Sequence, residues 1–321
     1  MTRIDEIGKL VQIARQYYEQ NLTQDEIAAN FGLSRPTVSR MLKKALEEKI
    51  VFINIIDPFS RSTDYSEKLK NALHIKHCIV ISGQVAEVGV ARRNIALVAA
   101  GYLYEVIQPG DVVGIGWGRT LYELADNIEP QPARNVLFVP MLGGIGQIKP
   151  SLQVHSIIQK ISDAFGGRWM QYHVPGILDN KILREQLLRT NDVQEMQQFW
   201  KKMNKAVVGI GESPSSSEII FQDNVDDSEK IGLMEQGAVG DICMRFFDKD
   251  GKPVSYIKQD IMSIELEDLA RVPDVIAVAA GEQKVAAIIG ASRAKYVNTL
   301  ITDELTAMRV LEKLAGENPA R

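Results

Sequence analysis

A chain of 321 residues with 45% hydrophobic and 24% charged positions has room for two domains and a sizeable core, and a net charge of −4 argues against a protein that coats nucleic acid over its whole surface. No apolar run reaches the roughly 18 residues of a membrane span, no leader precedes Ile4, and Cys78 and Cys243 stand apart without CxxC spacing, so free thiols and a cytoplasmic protein are expected. His74, His77, His155 and His173 show no metal spacing, and no GxSxG or Cys–His pairing marks a nucleophile; no catalytic residue, metal or cofactor is expected.

Ile7, Leu10, Val11, Ala14, Tyr17 and Tyr18 recur three or four apart and predict an amphipathic helix over 4–20. Two short helices follow, Gln24–Asn30 with Thr23 as N-cap and Arg35–Glu48 with Ser34 as N-cap, and Pro36 falls in a first turn where its missing N–H costs nothing. Gly32 between them supplies the left-handed backbone of a sharp corner, and Ile27, Ala28, Leu33, Val38, Met41 and Leu42 fall where the helices face each other. From Ser34 to Lys44 there are four basic residues and no acid. A helix of that character approaches a phosphate backbone while short polar side chains reach base edges. Thr23, Gln24, Ser34, Arg35, Thr37, Ser39, Arg40, Lys43 and Lys44 are therefore the candidate contacts to double-stranded DNA; a solvated amphipathic helix in a small bundle is the plainer alternative. Ile50–Ile56 alternates and is rich in β-branched residues, as a wing would be, and Asp57-Pro58 ends it. The boundary is set there: residues 1–57 as a winged helix-turn-helix, 58–321 as a second domain.

Beyond the boundary the pattern becomes alternating. Helices are predicted at Ser66–Leu73, Ala91–Val106, Thr120–Asn127, Ser151–Phe165, Asp192–Lys202, Ser228–Gln236, Glu282–Ala291 and Thr302–Ala315, and strands at Cys78–Ser82, Asp111–Gly116, Asn135–Pro140, Trp169–Val174, Lys205–Ile210, Ile242–Phe247, Val275–Ala279 and Val297–Ile301. A further extended segment, Pro253–Lys258, follows an Asp250-Gly251 turn; Glu212–Asp227 is read as a loop and Gly316–Arg321 as a frayed tail. Such alternation predicts an α/β domain, a doubly wound and mostly parallel sheet with helices on both faces.

In such sheets ligands bind outside the strand C-termini. The turn Gly114-Ile115-Gly116-Trp117-Gly118-Arg119-Thr120 joins a strand to a helix, so bare N–H groups and the helix dipole at Gly116–Thr120 suit a phosphate, with tight packing as the plainer reading. Its spacing matches neither a dinucleotide fingerprint nor a P-loop. Gly143-Gly144 and Gly209-Ile210-Gly211 follow two other strands and allow close backbone approach to the same crevice. Asp241 offers a carboxylate to sugar hydroxyls, unless Arg245 pairs with it. Lys284, at a helix start, offers an ammonium to the phosphate, and His155 is either a packed histidine or a ligand contact.

Taken in order, ARQYYEQNLTQDEIAANFGLSRPTVSRML (14–42), GIGWGRT (114–120), VPMLGGIGQ (139–147), VVGIGE (207–212), GAVGDICMRFFD (237–248) and the AGEQKVAAI and YVNTLITD segments near the end resemble bacterial transcriptional regulators of the SorC type. The resemblance implies a winged helix-turn-helix, an effector domain similar to sugar-phosphate isomerases and glucosamine-6-phosphate deaminase but without catalysis, a tetramer on paired operator sites, and a phosphorylated sugar as inducer. It also implies that Gly116–Thr120 and Lys284 hold the phosphate, although Ala280 replaces a glycine of the family's pattern. Some relatives carry a lysine where Leu142 stands and bind their sugar covalently; leucine forms no Schiff base, which implies reversible binding here. ILDN (177–180) and VGIGESP (208–214) resemble sorbose-type members and favour a hexose or hexitol phosphate. The expected effector contacts are thus Gly116, Trp117, Gly118, Arg119, Thr120, Gly143, Gly144, Gly211, Asp241 and Lys284. The competing reading is a sugar-phosphate isomerase or deaminase with an appended DNA-binding domain, whose acid and base would have to come from Asp241 and Glu212.

Overall fold

The computed structural model describes residues 3–48, 50–51, 62–83, 87–130, 132–146, 148–217, 225–256 and 259–317. The chain divides into two compact units, Met1–Ile56 and Asp57–Arg321.

The first unit holds helices Arg3–Tyr18, Gln24–Phe31 and Arg35–Glu47. A capping box starts the second: the Thr23 hydroxyl accepts from the Glu26 N–H, and the Glu26 carboxylate accepts from the Thr23 N–H at 2.8 Å. Gly32 ends that helix at φ 60°, the left-handed corner expected of it, and the Leu33 N–H closes onto the Ala28 carbonyl at 2.9 Å. Ile13, Ile27, Ala28, Val38 and Leu42 fill the space between the three helices. Ser34 stands at the N-cap position of the third helix, but its hydroxyl bonds to that of Thr37 at 2.8 Å and caps no backbone group. Of the expected wing, Ile50 and Val51 form no strand; their N–H groups donate to the Ala45 carbonyl at the end of the third helix. Residues 52–56 and the Asp57-Pro58 boundary lie outside the described residues.

The second unit is built on strands β1 (His77–Ile81), β2 (Val112–Ile115), β3 (Leu137–Pro140), β4 (Arg168–Trp169), β5 (Ile177–Leu178), β6 (Lys205–Gly209), β7 (Ala238–Ile242), β8 (Arg245–Asp248), β9 (Pro253–Val254), β10 (Asp260–Ile261), β11 (Asp274–Val278) and β12 (Thr299–Asp303). Seven of them form one sheet in the order β1-β12-β11-β6-β2-β3-β4, with every pairing parallel. Side chains alternate between its faces residue by residue. Ile79, Val113, Ile115, Phe138, Val207, Ile276 and Ile301 pack with helices Val88–Val106, Arg119–Asp126 and Val154–Ala164. Val80, Val139, Ala206, Val208, Val275, Ala277 and Leu300 pack with Thr63–Leu73, Asn191–Lys202, Val285–Arg293 and Glu304–Glu317. Both faces are dry, which is why these strands read as continuous apolar runs. From β2 the chain steps to β3 and β4 in one direction, whereas from β6 it steps to β11 and β12 in the other. The order therefore reverses between β2 and β6, and the loops after these strands flank a topological switch point.

Two expectations are corrected. The strand expected over Trp169–Val174 is confined to Arg168–Trp169, since the chain leaves the sheet edge after Met170 and the Tyr172 N–H turns to His155 Nε2 at 3.2 Å. The strand expected over Ile242–Phe247 is broken by a two-residue hairpin at Cys243-Met244, which joins β7 to β8 in an antiparallel sheet with β9. Cys243 and Met244 have φ of 51° and 64°, a conformation that hairpins of this kind normally assign to Asn-Gly. With neither residue present, the turn gave no composition signal.

Candidate functional site

In the helix-turn-helix unit the third helix buries Val38, Leu42 and Ala45 and leaves Arg35, Ser39, Arg40 and Lys43 exposed, with Thr37 and Lys44 half-buried at the margin. Its acidic neighbours hold the basic groups only loosely: Arg35 to Asp25 and Lys43 to Glu47 are both 3.9 Å contacts between exposed side chains. Exposed pairs of that kind are worth well under about 1 kcal/mol, so phosphate groups would displace them readily. Of the remaining candidates, Thr23 and Ser34 are exposed and Gln24 is half-buried at the start of the second helix.

In the second unit a cavity of about 450 Å³ opens at the switch point. That volume lies within the range of small-molecule sites, roughly 300–1,000 Å³. Trp117, Gly118, Arg119 and Thr120 line it from the turn after β2, and Gly211 and Glu212 from the loop after β6. Gly118 precedes helix Arg119–Asp126 at φ 105°, a conformation closed to ordinary side chains, and among the described residues no side chain caps that helix end. Its first N–H groups and the positive end of its dipole are thus available to an anion. Lys284 enters half-buried from the 3-10 turn Glu282–Lys284 after β11; its N–H donates to the Gly281 carbonyl at 3.0 Å, and its ammonium has no hydrogen bond or ion pair within 4.0 Å among the described residues.

Asp241 sits at the cavity wall in β7, and its fit depends on Gly211: a Cβ there would lie 1.6 Å from Asp241 Oδ1. The Gly211 N–H donates to the Asp241 carbonyl at 2.8 Å, and Asp241 Oδ2 accepts the Met244 N–H at 2.9 Å, bracing the strained hairpin. Burial raises the Asp241 carboxyl to about 6, against the pull of the Met244 N–H and of Lys284. Burial likewise lowers Lys284 to about 8, although Glu212 and Asp241 favour its charged form. Arg119 reaches Glu212 at 3.7 Å. The cavity thus brings together an uncapped helix start, the Arg119 and Lys284 cations, the Asp241 and Glu212 carboxylates, and Trp117.

Seven of the ten expected effector residues line this cavity. Gly116 stands behind its wall, where a Cβ would meet Leu121 at 3.3 Å and Cys243 at 3.5 Å. Gly143 and Gly144 lie elsewhere: the Gly143 N–H donates to Met262 and that of Gly144 to Val174, and a Cβ on Gly143 would come within 2.5 Å of the Val174 carbonyl. Those glycines serve backbone packing. Arg245 does not pair with Asp241; it turns to Glu265 at 2.8 Å and to the Ser263 hydroxyl at 3.1 Å. His155 is held by the Tyr172 N–H beside His173 and Trp169, away from the cavity. Arg92, Ser216, Ser217 and Gln283, not expected from the sequence, also line it. Arg92 lies in the first turns of the helix after β1, and Ser216 and Ser217 lie in a stretch read only as a polar loop.

Among the described residues no group of His, Cys, Asp and Glu is disposed to hold a metal, and no helix is long and apolar enough to cross a membrane.

Comparison with known proteins gives a consistent result. The Sugar-bind family model, a sugar-binding domain, matches residues 57–312, and the model of sigma-70 region 4 matches residues 11–48. The chain is 30% identical over 305 residues to the deoxyribonucleoside regulator of Bacillus subtilis strain 168, covering 95% of this chain and 97% of that one. To the sorbitol operon regulator of Klebsiella pneumoniae it is 28% identical over 319 residues, covering 97% and 100%. The crystal structure of the full-length sorbitol operon regulator SorC from Klebsiella pneumoniae superposes with a TM-score of 0.73 at 29% identity, covering 95% of this chain and 98% of that chain. These relatives are transcriptional regulators, not enzymes.

Proposed function

The chain belongs to the SorC family of sugar-binding transcriptional regulators, and from that premise we propose that a phosphorylated sugar held reversibly in the 450 Å³ cavity controls binding of the helix-turn-helix unit to operator DNA. It acts as a DNA-binding regulator of a carbohydrate operon in the cytoplasm, and not as an enzyme. Residues 1–57 form the DNA-binding domain and residues 58–321 the effector-binding and oligomerisation domain. The observation that carries the reading is the convergence, at the switch point, of an uncapped helix N-terminus with the unpaired Lys284 and the Asp241 and Glu212 carboxylates. The phosphate sits on the N–H groups of Gly118–Thr120 with Lys284 as its cation, and the sugar hydroxyls bond to Asp241 and Glu212 against the Trp117 ring. A hexose or hexitol phosphate fits this division.

On DNA, Arg35, Arg40, Lys43 and Lys44 contact phosphates while Thr37 and Ser39 reach base edges in the major groove, with Thr23, Gln24 and Ser34 at the margins. One such helix offers too few contacts for a specific site among many competitors, so the regulator works as an oligomer, a tetramer, on paired half-sites.

The two halves separate by mutation. Arg40→Ala abolishes operator binding and leaves the affinity for the sugar phosphate unchanged, whereas Lys284→Ala weakens the sugar phosphate at least tenfold and leaves operator binding in its absence intact. Calorimetric titration and fluorescence anisotropy measure the two affinities. Loss of operator binding in Lys284→Ala without any effector present counts against the role given to Lys284.

A further inference from the structure

We infer that Arg92 is a further anion-reading residue of the same cavity, and that Glu123 is the residue that positions it. The inference rests on the proposed sugar-phosphate reading and deepens it. Arg92 projects from helix Val88–Val106 and lines the cavity that Arg119 and Lys284 also line. Its single side-chain hydrogen bond among the described residues runs from Nε to Glu123 Oε1 at 2.9 Å. Both partners are largely withdrawn from solvent, at 20% and 15% side-chain exposure.

The geometry of that one bond matters. A guanidinium binds an oxyanion either side-on, through Nε and one terminal nitrogen, or end-on, through its two terminal nitrogens. Glu123 occupies Nε and so removes the side-on mode, while the end-on fork remains without a partner among the described residues. A stretched, exposed arginine would sample both modes; one pinned at Nε offers a single, pre-formed fork to an anion.

Glu123 is suited to positioning and poorly suited to stabilising the fold. It does not line the cavity, and its second oxygen, Oε2, is buried without a hydrogen-bond partner among the described residues. A buried carboxylate with one oxygen unfilled is a costly way to hold two helices together. It lies one turn along the helix whose uncapped start faces the cavity, so one short element presents the backbone N–H groups and fixes the arginine beside them. The charge of Arg92 is felt at Lys284, where it helps to lower the ammonium's pKa, and the two cations therefore act on one volume. An anion bound between them carries enough charge to satisfy both when it is a phosphate dianion; a neutral sugar leaves the fork unfilled. Arg92 accordingly sets the preference for phosphorylated over free sugar.

The test is titration of the full-length protein with inorganic phosphate and with glucose 6-phosphate, each against free glucose, by calorimetry and by thermal shift. Charge-assisted hydrogen bonds of this kind correspond to a loss of about tenfold to a hundredfold on removal. Arg92→Ala is expected to weaken both phosphates by that factor, and Arg92→Lys, which keeps the charge and loses the fork, to remain at least about fivefold weaker than the parent. Glu123→Gln retains an oxygen to accept the Nε–H and binds within about threefold of the parent, while Glu123→Ala falls toward Arg92→Ala; a merely structural role would lower the melting temperature of both Glu123 variants without this split. Phosphate affinity unchanged in Arg92→Ala, or fully restored in Arg92→Lys, overturns the inference and leaves the sugar-phosphate reading standing. A parent protein that binds neither phosphate but binds free glucose overturns both.

Discussion

At the scale of single residues the site is held by contacts that leave no slack. Gly211→Ala would drive a methyl group into Asp241 Oδ1, so it displaces the carboxylate, and a loss of effector affinity of at least tenfold is expected with the secondary structure intact by circular dichroism. Asp241 itself is destabilising when the cavity is empty. A carboxyl raised from 3.8 to about 6 binds its proton more tightly in the folded state, so stability falls as pH rises through that window and the cost is fully present above it. Asp241→Asn keeps an oxygen for the Met244 N–H and removes the buried charge; it should raise stability at pH 7.5 by up to about 3 kcal/mol while weakening the sugar, as denaturant titrations at pH 4 and pH 7.5 would show. Lys284 has the mirrored logic: with its ammonium lowered to about 8, affinity for an anion should decline as pH rises through that value. Of these residues, Gly118, Arg119, Thr120, Asp241 and Lys284 were legible because each lies in or beside a glycine-marked turn. Arg92 was not, because an arginine in the first turns of an amphipathic helix looks like any solvated face until the fold shows which loops it meets.

Among elements, those with strong local chemistry were read most accurately. The corner of the helix-turn-helix follows from the Thr23 capping box and from Gly32, which sits at φ 60° with nothing within 4 Å of a Cβ placed there. Gly32→Ala therefore meets no clash and suffers only the backbone penalty, about 1–2 kcal/mol, visible as a lower melting temperature of the DNA-binding unit and weaker operator binding. The buried strands β6 and β11 were equally plain from their apolar runs, whereas β12 runs to Asp303, two residues past the expected end, because Thr299, Thr302 and Asp303 make its pattern less apolar. The β7–β8 hairpin escaped notice because it turns on Cys243 and Met244, two residues with no turn propensity, braced by the side chain of Asp241 and buried against the cavity wall. Helix Lys181–Leu187 was missed for its length; only the Asn180 cap, which accepts the Leu183 N–H at 2.9 Å, announces it. Gly143 and Gly144 illustrate the opposite error, since a glycine pair after a strand serves close backbone packing as readily as ligand approach. A local pattern cannot tell the two apart.

For the whole molecule, the proposed regulation links a DNA-reading head to a sugar-sensing body through a change in operator affinity. A coupling free energy of about 1–3 kcal/mol would suffice, equivalent to roughly 5- to 150-fold in affinity. The order of family motifs along the chain carried this conclusion from the sequence, whereas the position of the cavity between β2 and β6 required the strand order, which no single segment encodes. The most direct test is titration of the full-length protein onto its own upstream DNA at fixed salt, with and without a panel of sugars and sugar phosphates, in the parent and in Lys284→Ala. At least one phosphorylated sugar should shift operator affinity by fivefold or more in the parent and leave Lys284→Ala unmoved. Operator affinity indifferent to every phosphorylated sugar, with a sugar phosphate turned over by the protein instead, would contradict the account.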